Sequence, residues 1–97
     1  MAKMHKDARG VLLFDCPGCG MLHAVYPQGC TADNPARWTW NGSLDSPTLT
    51  PSLSVRWTEH GHERHCHSFI TDGQIQFCGD STHALADQTV PIPEWET

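Results

Sequence analysis

After Lys6 the sequence contains no lysine, and the basic side chains that remain are scattered arginines. Six Lys plus Arg against eleven Asp plus Glu give a formal charge of −5 with histidine neutral. A phosphate-tracking surface is hard to build from that supply, so nucleic acid is a disfavoured partner. Long apolar runs are missing too. The run at residues 11–14, Val-Leu-Leu-Phe, is far shorter than a signal-peptide core or a membrane span, and the start MAKMHKDARG is polar. The expectation is a cytoplasmic chain without a membrane segment. Internal repeats and low-complexity tracts are absent, and charged residues make up only 18 %.

What is present fits one small domain. A chain of 97 residues seldom supports two cores. At this size only about 60–68 % of the unfolded surface is buried, so a bound metal would be a useful staple. The 8 Gly and 7 Pro are spread along a composition that is 38 % hydrophobic, which is turn-rich and globular, not disordered. The 7 His can titrate near neutrality or ligate metal. Five Cys is an odd number, and in a reducing compartment a Cys-x-x-Cys pair reads as metal-binding or redox-active before it reads as a disulfide framework.

Turn signals divide the chain into short strands. Residues 11–15 and 21–26 flank the knuckle Cys16-Pro17-Gly18-Cys19-Gly20, and residues 27–37 have no period and form a loop. Trp38-Thr39-Trp40 alternates and ends at the turn signal Asn41-Gly42. Prolines keep residues 46–57 extended, with Leu53, Val55 and Trp57 on one face and Ser52, Ser54 and Arg56 on the other. Residues 59–64 are expected to be a polar, mobile loop. Asp72-Gly73 then closes a type I′ hairpin in which Thr71 faces Gln74, Ile70 faces Ile75, Phe69 faces Gln76, Ser68 faces Phe77 and His67 faces Cys78. That register puts Cys66, Ile70, Ile75 and Phe77 on the apolar side and His67, Gln76 and Cys78 on the polar side. Residues 80–86 suit one short helical turn capped by Asp80 or Ser81. Residues 89–93, with two prolines, suit an edge strand. The resulting expectation is a mostly β, antiparallel single domain over residues 11–97, with a zinc knuckle and one short helical turn, preceded by a flexible segment at residues 1–10.

The strongest chemical motif is the knuckle, since two thiolates two residues apart on a glycine-containing turn can face one tetrahedral Zn2+. A thioredoxin-like role needs a helix beginning at the pair, and here Gly20 and a strand-like run follow instead. Two further ligands must come from His23, Cys30, Cys66, His67, Cys78 or His83. Cys16, Cys19, His23 and Cys66 are the first choice, because Cys66 points to the apolar side of its hairpin and His23 lies on the strand leaving the knuckle. Ser52 follows Pro51 at the start of a strand, where serine is ordinarily a turn residue. His67, on the polar face of a rigid hairpin, is placed as a general base should be. Asp80 and His83 lie three apart and could orient or assist it.

The ordered set of motifs resembles a known family. Cys16-Pro17-Gly18-Cys19-Gly20 with His23, Trp40-Asn41-Gly42 with Asp45, Ser46-Pro47-Thr48, Thr50-Pro51-Ser52-Leu53, Cys66-His67-Ser68-Phe69-Ile70-Thr71-Asp72-Gly73 and Asp80-Ser81-Thr82-His83-Ala84-Leu85-Ala86 are similar to small phage and prophage zinc-knuckle proteins. These often carry the automatic label "ammonia monooxygenase", and they resemble the serine peptidases of bacterial ubiquitination-like (Bub) operons. The resemblance implies a zinc-containing peptidase with Ser52 as nucleophile, His67 as base, and Asp80 and His83 completing the site. It also implies a protein or peptide substrate and, for a phage-encoded chain, the host cytoplasm.

Two other readings stay open on sequence alone. In one, zinc is catalytic, with His67 and His83 among its ligands and Asp80 or Asp45 acting on a bound water. In the other, the domain is a non-enzymatic zinc-binding interaction module acting on a host protein, with Trp38, Trp40, Trp57 and Trp95 available for an aromatic interface.

Overall fold

A computed structural model describes residues 2–95 and contains eight strands. They are β1 (His5–Lys6), β2 (Leu12–Asp15), β3 (Leu22–Val25), β4 (Thr39–Trp40), β5 (Leu49–Glu59), β6 (His62–Thr71), β7 (Gln74–Phe77) and β8 (Thr89–Pro91). Two X-Gly pairs fold the middle of the chain back on itself. His60 and Gly61 have φ of 51° and 79°, and Asp72 and Gly73 have φ of 51° and 77°. Positive φ at both central residues is the type I′ pattern, whose twist matches that of the strands it joins. β5, β6 and β7 are thereby neighbours in a five-stranded sheet of order β4-β5-β6-β7-β8, beside a three-stranded sheet of order β1-β2-β3. Every strand pairing is antiparallel.

The β6–β7 register pairs Ser68 with Phe77, Phe69 with Gln76, Ile70 with Ile75 and Thr71 with Gln74, as the turn chemistry requires. Alternation then sends Cys66, Ser68, Ile70, Ile75 and Phe77 inward, where each is buried. From the smaller sheet Leu12, Phe14 and Val25 join Leu49, Leu53, Ile70, Ile75 and Phe77 in one core. β8 is the edge strand expected from the prolines, and it pairs only with β7.

Three expectations need correction. Residues 59–64 are not a loop: β5 runs to Glu59, β6 starts at His62, and Glu59 pairs with His62 across the His60-Gly61 turn. Histidine tolerates the left-handed region better than most side chains, so His-Gly does the work of Asn-Gly here. The short helical turn at residues 80–86 is not formed, and there is no helix among the described residues. Its backbone is committed elsewhere. The N–H of Thr82 donates to the carbonyl of His65, the Ser81 hydroxyl bonds His67 instead of capping, and Asp87 turns away at φ 66°. Finally, part of the segment before residue 11 belongs to the fold: His5–Lys6 is β1, Met4 is in the core, and the Lys3 ammonium donates to the Ile92 carbonyl at 2.7 Å.

Candidate functional site

The knuckle turns on itself through two backbone bonds, from the Cys16 N–H to the Met21 carbonyl and from the Gly20 N–H to the Cys16 carbonyl, both 3.0 Å. β3 then alternates, exposing Leu22 and Ala24 while burying His23 and Val25. His23 is thus aimed back over the knuckle, and Cys66 reaches the same place from β6. Cys16, Cys19, His23 and Cys66 each offer a ligand atom within 4.8 Å of the others. The Cys16 and Cys66 sulfurs are 3.8 Å apart, and Cys19 Sγ is 3.1 Å from His23 Nε2. Thiolates at about 2.3 Å from a tetrahedral zinc stand about 3.8 Å from each other, so the donor set and spacing fit a metal ion with four protein ligands. The hydrogen bond shared with Cys66 holds the Cys16 thiol down to about 3 against the opposing effect of burial, with His23 and backbone N–H groups assisting. Sharing that bond pushes the Cys66 thiol up, and burial pushes up Cys19. One thiolate is already favoured, which is the state a metal ligand needs.

His83 stands beside this cluster. Its Nδ1 accepts the Leu85 N–H at 3.2 Å, which leaves Nε2 as the donor toward Cys66 Sγ at 3.6 Å. The ring meets Phe77 edge-on, with centroids 4.4 Å apart, and lies against Gly18, where a Cβ would come within 2.4 Å of it. Its hydrogen bonds support the sulfur cluster, and none goes to Ser52, His67 or Asp80.

On the other face of β6 a second cluster forms. Between Leu49–Ile70 and Leu53–Ser68 four steps along β5 are matched by two along β6, so the chain bulges at residues 50–52. A bulge re-aims the side chain it carries. Here Ser52 Oγ lies 3.0 Å from His67 Nε2, and His67 Nδ1 lies 3.1 Å from Asp80 Oδ1. Hydroxyl, imidazole and carboxylate therefore stand in the order that lets the imidazole accept the hydroxyl proton while the carboxylate holds its other nitrogen. Burial opposes the charge on Asp80, but the hydrogen bond from His67 and the nearness of His67 and His65 outweigh it and keep the carboxyl below its usual range.

Residues 80–82 are pinned along β6. Ser81 Oγ accepts the His67 N–H at 3.1 Å and donates to the His67 carbonyl at 3.0 Å, and Thr82 Oγ1 does the same for His65 at 3.0 and 3.2 Å. Ser54 and His65 repeat the motif one pleat along: Ser54 Oγ is 2.8 Å from His65 Nε2, and His65 Nδ1 is 3.5 Å from Asp80 Oδ2. Sequence reasoning does not single out Ser54 as half of a pair, nor His65 or Thr82, and it reads Ser81 only as a helix cap. For Ser54 and His65 the signal is the period-2 spacing Ser52-x-Ser54 and His65-x-His67, which puts each pair on one face of a strand.

The other candidates lie elsewhere. Cys78, half-buried, gives its N–H to the His67 carbonyl at 2.8 Å, Cys30 packs near Gly10, and Asp45 is exposed in the loop above Gly73. Trp38, Trp40 and Trp57 pack on the core, and Trp95 stacks on His5, so they do not form one exposed aromatic patch. Trp38 Nε1 donates to the Ser52 carbonyl at 3.3 Å, and a cavity of about 380 Å³ opens beside it, lined by Tyr26, Trp38, Leu53, Ser54 and Val55 among others.

A family model described as bacterial ubiquitination-like system serine protease (BubE) matches residues 1–78. The chain belongs to that family. No curated protein and no solved structure matches it. The stretch matched by the BubE model includes Ser52, His67 and all four residues of the sulfur cluster, while Asp80 and His83 lie beyond it. Among the described residues no helix is long and apolar enough to cross a membrane.

Proposed function

We propose that the protein is a zinc-stabilised serine peptidase in which Ser52 is the nucleophile, His67 the general base and Asp80 the group that orients it. The observation that carries this reading is the line from Ser52 Oγ through His67 Nε2 and Nδ1 to Asp80, with steps of 3.0 and 3.1 Å. His67 takes the Ser52 proton at Nε2 as the oxygen attacks a peptide carbonyl, then delivers it to the leaving amine. The acyl-enzyme is released by water along the same path. Backbone N–H groups near Ser52 would hold the oxyanion. The cavity beside Trp38 would receive a side chain of the bound peptide. His83 acts outside this site, holding a ligand thiolate of the zinc cluster.

A zinc ion at Cys16, Cys19, His23 and Cys66 would be structural, since four protein ligands leave no open position for water. Its chemistry is to tie the knuckle to β6, which fixes the strand that carries His67. The substrate is a protein or peptide, and the family description points to conjugates of a ubiquitin-like system. The site of action is the cytoplasm, that of the host if the chain is phage-encoded.

The test is labelling of the metal-loaded protein with a fluorophosphonate, together with cleavage of peptide amides. Wild type should label once, at Ser52. Ser52→Ala should lose both label and cleavage, and His67→Ala should lose nearly all of the rate. A folded, metal-loaded wild type that neither labels nor cleaves, or whose label survives Ser52→Ala, overturns the reading.

A further inference from the structure

β6 carries a second imidazole that the hydrolytic line does not use. His65 is 6 % exposed, and its ring lies nearly parallel to that of His67, with centroids 5.6 Å apart and planes inclined by 21°. The two rings present the same atoms in the same order. Each Nε2 faces a serine hydroxyl, at 3.0 Å for His67 and Ser52 and 2.8 Å for His65 and Ser54. Each Nδ1 faces the Asp80 carboxylate, at 3.1 Å for His67 and 3.5 Å for His65.

Two imidazole nitrogens and one carboxylate oxygen on a common centre are a cation's donor set. One ligand atom from each of the three residues lies within 4.8 Å of the other two. Nitrogen and oxygen ligands bound at about 2.0–2.2 Å to a tetrahedral zinc stand roughly 3.3–3.6 Å apart, close to the two nitrogen–oxygen spacings of 3.1 and 3.5 Å already present. The surroundings fit as well. A ligating histidine ordinarily gives its remaining N–H to an acceptor that fixes the ring, and Ser52 and Ser54 are those acceptors. Three donors without a thiolate make this a weaker, more open site than the sulfur cluster.

We propose that His65, His67 and Asp80 form a second divalent-cation site, and that zinc bound there switches off Ser52. The switch rests on the serine-peptidase reading, whereas the cation site does not. Its logic is a tautomer change. A neutral imidazole holds one proton. To act as base His67 needs a free lone pair at Nε2, so its proton sits on Nδ1 and is donated to Asp80. A cation binds Nδ1 through that nitrogen's own lone pair, so the ring proton passes by way of solvent from Nδ1 to Nε2, where it donates to Ser52 Oγ and occupies the lone pair the base needs. The nucleophile keeps its neighbour and loses its base, and Asp80 is drawn onto the cation.

The experiment uses the full chain with its sulfur cluster loaded, dialysed against buffered zinc chloride. Bound zinc per chain and the rate of fluorophosphonate labelling are read on the same samples. Wild type should take up one further zinc, and over the same range of free zinc its labelling rate should fall at least tenfold. His65→Gln and the exposed-site variant Asp80→Asn should not take up that zinc, and labelling of His65→Gln should be insensitive to it. No further zinc on wild type, or a further zinc that both variants retain, overturns the site. Uptake with an unchanged labelling rate overturns the switch. A wild type that never labels removes the peptidase reading and the switch with it, while the dialysis still decides the cation site.

Discussion

One strand serves both clusters, yet they are assembled in different ways. β6 sends Cys66 inward to the sulfur cluster and His67 outward to Ser52 and Asp80. The other three sulfur-cluster residues lie between positions 16 and 23, on one knuckle and the strand that leaves it. Ser52, His67 and Asp80 come from β5, β6 and the segment after β7, with partners 15 and 13 positions apart in the chain. A short loop closes at small entropic cost, whereas partners on separate elements meet only when the register is right. The sulfur cluster should therefore support the hydrolytic one, and damage should pass from the first to the second but not back.

The largest expected effect tests that direction. Cys66→Ser should lose the metal, the cooperative melt and the labelling of Ser52 together. Apparent zinc-binding energies of about 10–16 kcal/mol in small zinc domains match or exceed the whole stability of about 5–15 kcal/mol expected of a domain. Metal content and a thermal melt by circular dichroism measure it. A variant that melts within a few degrees of wild type and still labels would break the asymmetry.

The next effect belongs to the other side. Asp80→Asn should slow peptide cleavage by roughly 10²–10⁴-fold, because the charge that steadies the forming imidazolium is gone. Metal at the sulfur cluster should not change. Because the Asp80 carboxyl sits below its ordinary value of 3.8, it stays ionised through the neutral and mildly acidic range. Any stability from its pairing is complete above that ordinary value and is lost as pH falls through the lowered one. The unfolding midpoints of wild type and variant should therefore converge only in strong acid. Convergence between pH 5 and 7 would contradict the pairing seen here.

The same contrast governs what could be read from the sequence. Cys-x-x-Cys followed by a histidine four residues on is a local signal, and Asp72-Gly73 fixed the face of Cys66 without any knowledge of the rest of the sheet. The link from Ser52 to His67 depends on β5 and β6, whose hairpin turns at His60-Gly61. On sequence alone that pair reads as loop, because histidine is a weaker turn signal than asparagine or aspartate. Without that turn there is no register, and His65 opposite Arg56, or Ser54 opposite His67, cannot be foreseen. The helical turn expected at residues 80–86 failed for a related reason. Its caps, Asp80 and Ser81, have better partners on β6, and such tertiary bonds do not appear in local propensity.

A smaller perturbation probes the support under the sulfur cluster. At Gly18 a Cβ would come within 2.4 Å of the His83 ring, which is held by Phe77 and by the Leu85 N–H. Because that ring is not the free end of a flexible chain, Gly18→Ala should cost about 1–3 kcal/mol through displaced packing. It should also weaken metal retention against a chelator, since His83 loses its hold on Cys66. Unfolding in urea and a chelator competition measure the two. If stability falls and metal retention does not, His83 packs beside the cluster without supporting it.

The smallest effect expected is at Ser81, the matching support on the hydrolytic side. Its hydroxyl accepts the His67 N–H and donates to the His67 carbonyl, which also receives the Cys78 N–H. Ser81→Ala removes both bonds but leaves the carbonyl satisfied by the Cys78 N–H. About 1 kcal/mol of stability should be lost. The consequence for chemistry should exceed that for folding in one respect: with residues 80–82 less firmly pinned, Asp80 drifts from His67, and kcat should drop severalfold with KM unchanged. Metal retention should stay at the wild-type level. A rise in KM without a change in kcat would mean that Ser81 shapes the peptide site instead of steadying the base, and loss of metal from this variant would show that support also runs from the outer face of β6 to the inner one.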